Sequence, residues 1–454
     1  MAQTTIEQAF DAKEGAETLH ARTAQRAQLN GARYTSAEVL EREWQNVWTK
    51  SWLFAGLLSD VSEPGDYFTY QVGRESVIVA RGDDSELRAF YNVCQHRGNR
   101  LLSGDAGCVA QFTCPYHGWS YGLDGALIKV PDAERFFPPV SLTDRSLKPV
   151  QLEHWAGMVW VNLDPDAQPL SDFLGPMIEN LAPYHFENMV LTQHQTLALD
   201  ANWKTVRDNF LEQYHVDFIH PQHASFVDCC NSTNILWPLG HSATMVEGFV
   251  TSSRYPLPEK TPEHLIPALK GLGLDPEQYD GRVSDIRAAV QQRKRALSED
   301  LEVDFSHLRD DQLTDVWQYD VFPNTFMTIQ AEELWIYGPR PHLSNPNLCF
   351  FDKFTLQIPV EHGTDSALGV TLSPGLSASV NADRPNHDQF SGADVVTGKH
   401  SLTITIDQDI ASLPDMQAGL HSRGFEHALL NEDEVRVQHF HDWLDEWMRD
   451  EAPL

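Results

Sequence analysis

A chain of 454 residues with ordinary apolar and charged fractions is long enough for two or three hydrophobic cores. Its 65 acidic side chains against 33 basic ones lack the basic footprint of a nucleic-acid binder, and the excess negative charge reads as a solvated surface. The longest apolar runs are strand-sized, as at Met158 to Val161, and Met1 to Phe10 has no basic segment leading into an apolar one. The expectation is a cytoplasmic protein with neither a membrane span nor a secretory signal.

Residues 1–45 read as an N-terminal helical segment, assigned to pack on the large C-terminal domain. Its clearest piece is Ser36 to Trp44, with Ser36 as N-cap and Glu38 and Glu41 near the positive helix end. Residues 46–165 change character. Tyr67 to Val72, Ser76 to Ala80, Leu87 to Asn92, Val109 to Thr113 and Gly157 to Asn162 are short β-branched or aromatic runs parted by Gly, Pro, Asp and Asn. They predict a small all-β domain. Pro165 to Pro169 reads as a linker. Residues 166–454 predict an α+β domain around an antiparallel sheet. Its helices are Thr205 to Ile219, Ser284 to Leu301, Asp407 to Leu420 and Asn431 to Arg449, and its strands are Thr325 to Tyr337 and Cys349 to Ile358.

Six cysteines in a large chain without an export signal point to metal before disulfides. Cys108, Cys229, Cys230 and Cys349 read as structural or incidental. The other two belong to Cys94-Gln-His96-Arg-Gly and Cys114-Pro-Tyr-His117-Gly-Trp, with seventeen residues between His96 and Cys114. Each pair offers one thiolate and one imidazole. Two thiolates on one iron and two imidazoles on the other is the Rieske arrangement of a [2Fe–2S] cluster. Gly98, Pro115 and Gly118 suit tight loops around it. A structural zinc also accepts two Cys and two His, but zinc fingers keep Cys with Cys and His with His, whereas each pair here is mixed.

A second constellation lies in Asn202-Trp-Lys…Asn209-Phe-Leu-Glu212-Gln-Tyr-His215…His220-Pro221. Two histidines five apart sit about 140° apart on a regular helix and do not share a face. Pro221 biases His220 out of helical dihedrals, so the helix should end there and let it turn back. Glu212 precedes His215 by three residues and lies on its face. Two histidines and a carboxylate form the facial triad of non-haem Fe(II) oxygenases, with positions left open for O₂. Asn209 is taken as a supporting residue of this site.

The two stretches together resemble the Rieske non-haem iron oxygenases, and Trp52-Leu-Phe-Ala-Gly56 looks like the start of their cluster domain. The resemblance covers residues 45–425 approximately. It implies that Cys94, His96, Cys114 and His117 hold the [2Fe–2S] cluster and that His215 and His220 ligate a mononuclear Fe(II). The third ligand is implied by Ile406-Asp-Gln-Asp409…Gln417-Ala-Gly419, similar to a late acidic segment of the family. By that register it is Asp409, with Asp407 as runner-up, and either could instead cap its own helix. Glu212 stands where the family bridges the first iron histidine to a Rieske histidine, here His117, of a neighbouring subunit. Glu rather than Asp there is more like the single-subunit-type monooxygenases and demethylases. Asp217 is the weaker bridge candidate.

The implied fold is a β-rich Rieske domain followed by a helix-grip (Bet v 1/START-like) catalytic domain. The implied assembly is a homotrimer or a multiple of it, with or without a β subunit. No Gly-x-Gly-x-x-Gly follows a strand, so a separate NAD(P)H reductase, with or without a ferredoxin, is expected to supply electrons. The expected reaction is O₂-dependent hydroxylation, mono- or dihydroxylation, or demethylation of a small organic substrate, an aromatic one in the first instance. Phe210, Phe218, Phe305, Trp317 and Met327 are candidate pocket residues, and Thr261 to Asp315 a candidate cover. The readings that compete are a Rieske electron carrier without oxygen chemistry and a zinc-stabilised ligand-binding protein.

Overall fold

The computed structural model describes residues 27–137, 141, 143–300, 305–359 and 384–449. Residues 1–26 of the expected N-terminal segment, and Leu301, lie outside them. Contacts group the chain into two compact units: Arg42–Ile178, and Met1–Glu41 together with Glu179–Leu454.

The small unit is all β. One sheet runs β1 (Leu53–Leu57), β10 (Met158–Asn162), β9 (Pro149–Trp155), β4 (Leu87–Tyr91), β3 (Glu75–Arg81), β2 (Asp66–Val72) and β5 (Ala106–Cys108). A second, three-stranded sheet is formed by β6 (Phe112–Thr113), β7 (Ser120–Tyr121) and β8 (Leu127–Lys129). Ile78, Phe90, Phe112, Trp119 and Tyr121 build the core that also contains Cys94 and Cys114. Of the single strand expected over Val109 to Thr113 only Phe112–Thr113 forms, and Ala106–Cys108 just before it belongs to the other sheet. Strands of two or three residues carry too little periodicity to be read from sequence. The expected linker at Pro165 to Pro169 is tied down: Trp52 Nε1 donates to Gln168 O (2.8 Å), and Leu170 N–H to Glu153 (3.2 Å).

The large unit is α+β. Its sheet runs β12 (Thr233–Leu236), β13 (Ser242–Val246), β14 (Val316–Val321), β15 (Thr325–Ile329), β16 (Glu333–Pro341), β17 (Cys349–Gln357), β11 (Val190–Leu199) and β18 (His387–Ser391). Every neighbouring pair is antiparallel except β11 and β18, which are parallel. Apart from this edge the sheet is antiparallel, as expected. Thr325 to Tyr337 is a hairpin rather than one strand, turning at Gln330, whose N–H donates to Glu333 O (2.9 Å). The strand β15 is buried on both faces, so its sequence lacks the alternation that would mark its end.

The helices that matter to the site are α1 (Ala37–Glu43), α2 (Trp203–Phe210), α3 (Val216–Ile219), α4 (Ile286–Asp300), α5 (Ile404–Leu420) and α6 (Val435–Trp447). Ser36 Oγ accepts the Glu38 N–H at 3.1 Å, capping α1 as expected. The described part of the N-terminal segment is pinned to α6. Ala27 N–H donates to Asp442 (2.8 Å), and Arg33 reaches His441 Nδ1 (2.8 Å) and Asp445 (2.5 Å).

Candidate metal centres

Two loops of like geometry carry the Cys–His pairs. Cys94 N–H donates to Asn99 O (2.8 Å) and Gly98 N–H to Cys94 O (3.0 Å); Cys114 N–H donates to Trp119 O (2.8 Å) and Gly118 N–H to Cys114 O (3.0 Å). Gly98 and Gly118 close these loops at φ +75° and +70°, the left-handed region that glycine enters without a Cβ clash. Nothing lies within 4 Å of a Cβ placed at Gly98, so backbone conformation rather than space demands glycine there.

Both thiols are buried, and both imidazoles are half-buried with Nδ1 of His96 and His117 only 3.1 Å apart. His96 stacks on Trp119 at 4.9 Å. Burial, then the neighbouring His117 and Arg97, lowers the His96 pKa and favours the neutral imidazole a metal requires. Tyr121 Oη accepts the Gln95 N–H (3.0 Å) and lies 3.4 Å from Cys94 Sγ, so its own proton is available to that sulfur. Sequence reasoning missed Tyr121, although it lies two residues past the quoted Cys114-Pro-Tyr-His117-Gly-Trp stretch. Two sulfurs and two Nδ1 atoms, delivered by opposing loops, fit the donor set of a Rieske cluster.

The expected helix Thr205 to Ile219 is broken between Phe210 and Val216, and Glu212 is the reason. One carboxylate oxygen accepts the backbone N–H groups of Tyr214 and His215 (the latter at 3.1 Å), and the other accepts Nδ1–H of His215 at 2.6 Å. A side chain that takes these backbone donors starts a new helix and holds the imidazole at once. His220 leaves the helix at φ −119°, ψ +60° before Pro221, as expected. Its Nδ1–H donates to Gln408 Oε1 (2.8 Å), which also accepts from Gln222 Nε2 (2.7 Å). With both Nδ1 atoms donating, Nε2 is the nitrogen that each ring leaves for a metal.

Those two Nε2 atoms face Asp409 on α5, at 3.4 Å from His215 and 3.0 Å from His220. The ligand atoms of His215, His220 and Asp409 all lie within 4.8 Å of one another. Among the described residues His220 Nε2 and Asp409 Oδ1 are buried without a hydrogen-bond partner, which fits a position meant for a cation. Asp407 is engaged elsewhere, accepting from Ser401 Oγ (2.5 Å) and Leu402 N–H (2.9 Å). Gln417 anchors α5 to the start of α2 by accepting from Asn202 N–H and Thr205 Oγ1, both at 2.9 Å. Burial opposes a charged His215, yet Asp409 and Glu212 together raise its pKa to about 10. Burial likewise works against an ionised Asp409, but His215 and His220 hold it below the usual carboxylate range. Asp217 is occupied by Arg254 (2.7 Å) and Ser252 (3.2 Å). Asn209 lines the adjoining pocket but bonds to neither histidine, and its Nδ2 has no partner among the described residues. Gln408, missed from sequence, carries no signal there beyond its place between two aspartates.

The pocket beside the triad has aromatic walls from Phe210, Phe226, Trp335 and Tyr337. Of the expected lining residues only Phe210 is there. Phe218 is 62 % exposed, and Phe305, Trp317 and Met327 are buried elsewhere. Strand alternation explains two of these misses: Val316, Gln318 and Thr328 face the pocket, so Trp317 and Met327 face away. Among the described residues, none from Thr261 to Asp315 lines it. That segment packs its own cluster around Leu265, Leu269, Ile286 and Val290 with Phe249. Cys229, read as incidental, does line the pocket.

The profile of the ring hydroxylating alpha subunit (catalytic domain) matches residues 186–450, and that of the Rieske [2Fe-2S] domain matches residues 51–149. The chain therefore belongs to the ring-hydroxylating alpha-subunit family, with a Rieske domain ahead of the catalytic domain, and its cofactors are a [2Fe–2S] cluster and a mononuclear iron. Among named relatives, it is 36% identical over 223 residues to the carnitine monooxygenase oxygenase subunit of Acinetobacter pittii (strain PHEA-2), covering 48% of this chain and 59% of that protein. It is 36% identical over 189 residues to the glycine betaine monooxygenase oxygenase subunit of Chromohalobacter salexigens, covering 42% of each. The chain thus matches about three fifths or less of these relatives' length. In fold it resembles the quaternary ammonium Rieske monooxygenase CntA in complex with L-carnitine (TM-score 0.65, 20% identity, 94% of this chain and 97% of that one). It resembles naphthalene 1,2-dioxygenase from Rhodococcus sp. equally well (TM-score 0.65, 19% identity, 100% of both chains). Among the described residues no helix is long and apolar enough to cross a membrane.

Proposed function

We propose that the chain is the terminal oxygenase of a Rieske system and that it oxidises a quaternary ammonium compound at a carbon bonded to nitrogen. The observation that carries the substrate class is the charge and shape of the pocket. Among the described residues it is walled by aromatic rings, contains the carboxylates of Glu212 and Asp409, and has no Lys or Arg. Ring faces attract a desolvated ammonium, whereas an aromatic acid would need a cationic anchor. Lys353 Nζ already sits 4.7 Å from the Trp335 ring centroid, so the cage rests chiefly on Phe210, Phe226 and Tyr337. The relatives named for carnitine and glycine betaine support the same class. This replaces the aromatic substrate expected from sequence.

In this reading Cys94, Cys114, His96 and His117 hold the cluster, and His215, His220 and Asp409 hold the iron. When bound, the cluster supplies single electrons and the iron supplies open positions at which O₂ is reduced. Glu212 fixes the His215 ring and, in a homotrimer, meets His117 of a neighbouring subunit. Gln408 fixes the His220 ring. The aromatic walls exclude water and press the ammonium group toward the triad. The balance is one C–H bond, O₂, two electrons and two protons giving one C–OH and one water. A hydroxyl on a carbon bonded to nitrogen then breaks down to an amine and an aldehyde. The electrons come from a separate NAD(P)H reductase, with or without a ferredoxin.

The test is O₂ uptake by the holoprotein with a generic reductase, screened across quaternary amines, aromatic acids and aromatic hydrocarbons. Uptake with a quaternary amine, matched by aldehyde release, is expected. Uptake with aromatic compounds alone, yielding hydroxylated rings, would refute the substrate class.

A further inference from the structure

The pocket contains hydroxyl protons that no described residue accepts. Arg436, buried on α6, donates Nη1–H to Gln318 Oε1 at 2.9 Å. Arginine has no acceptor, so the amide oxygen of Gln318 must face it and Nε2 must point the other way. That Nε2 donates to Tyr337 Oη at 2.8 Å. Tyr337 Oη is in turn 2.9 Å from Thr328 Oγ1. The two hydroxyls own two protons and share one hydrogen bond. Whichever donates, one proton remains uncommitted, and neither hydroxyl has any other partner among the described residues.

A second donor stands beside them. Thr244 is 1% exposed, and its Oγ1 has no hydrogen-bond partner among the described residues. Thr244 pairs across the sheet with Gln318, and Gln318 with Thr328, so the three form one row. All four residues, Tyr337 included, line the pocket. The row is held from behind. Arg436 Nε donates to Ser242 Oγ (3.0 Å), Ser242 donates to Asp320 (3.2 Å), and Asp320 pairs with the fully buried Arg207 (2.5 Å). Burial pushes the Tyr337 phenol up to about 12, so it stays protonated at neutral pH.

Buried donors left unpaired are costly, and a site built around them favours a ligand that supplies an acceptor. We infer that Thr244, Thr328 and Tyr337, oriented by Arg436 through Gln318, form a subsite for an oxygen acceptor on the substrate, either a hydroxyl or a carboxylate. Joined to the proposed function, this narrows the substrate to a quaternary amine bearing such an oxygen. The quaternary-amine reading enters only through that last step.

The test is calorimetric binding to the anaerobic holoprotein with two isosteric pairs, each differing by hydroxyl against methyl. They are choline against propyltrimethylammonium, and benzyl alcohol against ethylbenzene. Glycine betaine is a further ligand that separates a carboxylate from a hydroxyl source. The oxygen-bearing member should bind roughly tenfold tighter or more. Thr244→Val, and the double variant Tyr337→Phe/Thr328→Val, should each reduce that preference and leave the methyl isostere bound as before. Tyr337→Phe or Thr328→Val alone should reduce it less, because the remaining hydroxyl keeps a free proton. A merely structural role would weaken both members of a pair alike. Equal affinities in the unmodified protein, a preference that survives Thr244→Val/Thr328→Val/Tyr337→Phe, or no binding of either pair at millimolar concentration would overturn the inference. Preference within the benzyl pair, with no binding of choline, propyltrimethylammonium or glycine betaine, would uphold the subsite while refuting the quaternary-amine reading.

Discussion

Nε2 of His220 and Oδ1 of Asp409 stand 3.0 Å apart, both buried, and neither has a hydrogen-bond partner among the described residues. Such a pair fits the ligand set of a metal ion. Asp409→Ala should lower the iron content from about three to about two per chain and leave the Rieske EPR signal intact. Asp407→Asn should keep the full complement, since Asp407 only accepts from Ser401 and Leu402. Metal analysis with EPR checks both, and full iron in Asp409→Ala would remove that residue from the site.

Gln408 fixes which nitrogen of His220 carries the proton. Gln408→Leu should weaken iron binding by roughly 10- to 100-fold, the usual effect of losing a partner to a metal-ligating histidine. Competition with a chelator measures it, and an unchanged affinity would show that the His220 ring is held by packing alone.

From sequence, Glu212→Ala should keep both metals and stop electron transfer between them. The structure alters the first half. Glu212 holds the His215 ring and the backbone that starts α3, so Ala there should also cost iron affinity by roughly 10- to 100-fold. Iron titration followed by stopped-flow reoxidation of the cluster separates the two effects. Reoxidation at the unmodified rate in iron-saturated Glu212→Ala would exclude a bridging role.

The parts of the site that are contiguous in the chain were legible. Each Cys–His pair lies in one short loop, and Pro221 announces that His220 leaves its helix. Asp409 came from resemblance to a family, because nothing local separates it from Asp407. The break after Phe210 was hidden, since Glu212 opens the helix with its own side chain and no Pro or Gly marks the place. Nor could sequence tell that Gln318 rather than Trp317 faces the pocket, as one residue of register decides it. The row of Thr244, Gln318 and Thr328 was invisible because it is assembled across strands distant in the chain.

His194, on β11, is stacked between Phe354 (4.1 Å) and His387 (3.8 Å). Burial first, then His387, lowers its pKa from 6.5 to about 3. The unfolded chain therefore takes up a proton below pH 6.5 that the folded one refuses until about 3. Stability from this group is complete above pH 6.5 and is lost as pH falls through that window. His194→Phe should flatten the acid side of a Tm-against-pH curve by one proton's slope. An unchanged slope would mean that His194 titrates normally in the fold.

Asp320 and Arg207 form a fully buried ion pair at 2.5 Å. Asp320→Leu leaves two buried guanidiniums without their carboxylate and should destabilise the large unit by about 3–5 kcal/mol. Denaturant unfolding gives the value, and a loss under about 1 kcal/mol would mean that water reaches the pair.

The relay between cluster and iron is tested most directly by a single turnover. Chemically reduced holoprotein, freed of reductase, is mixed with O₂ and choline or glycine betaine, and aldehyde is measured alongside cluster oxidation. The account predicts aldehyde in amounts matching the mononuclear iron, formed as the cluster loses its electron. A cluster that reoxidises without product, in protein carrying both metals and bound amine, would contradict it.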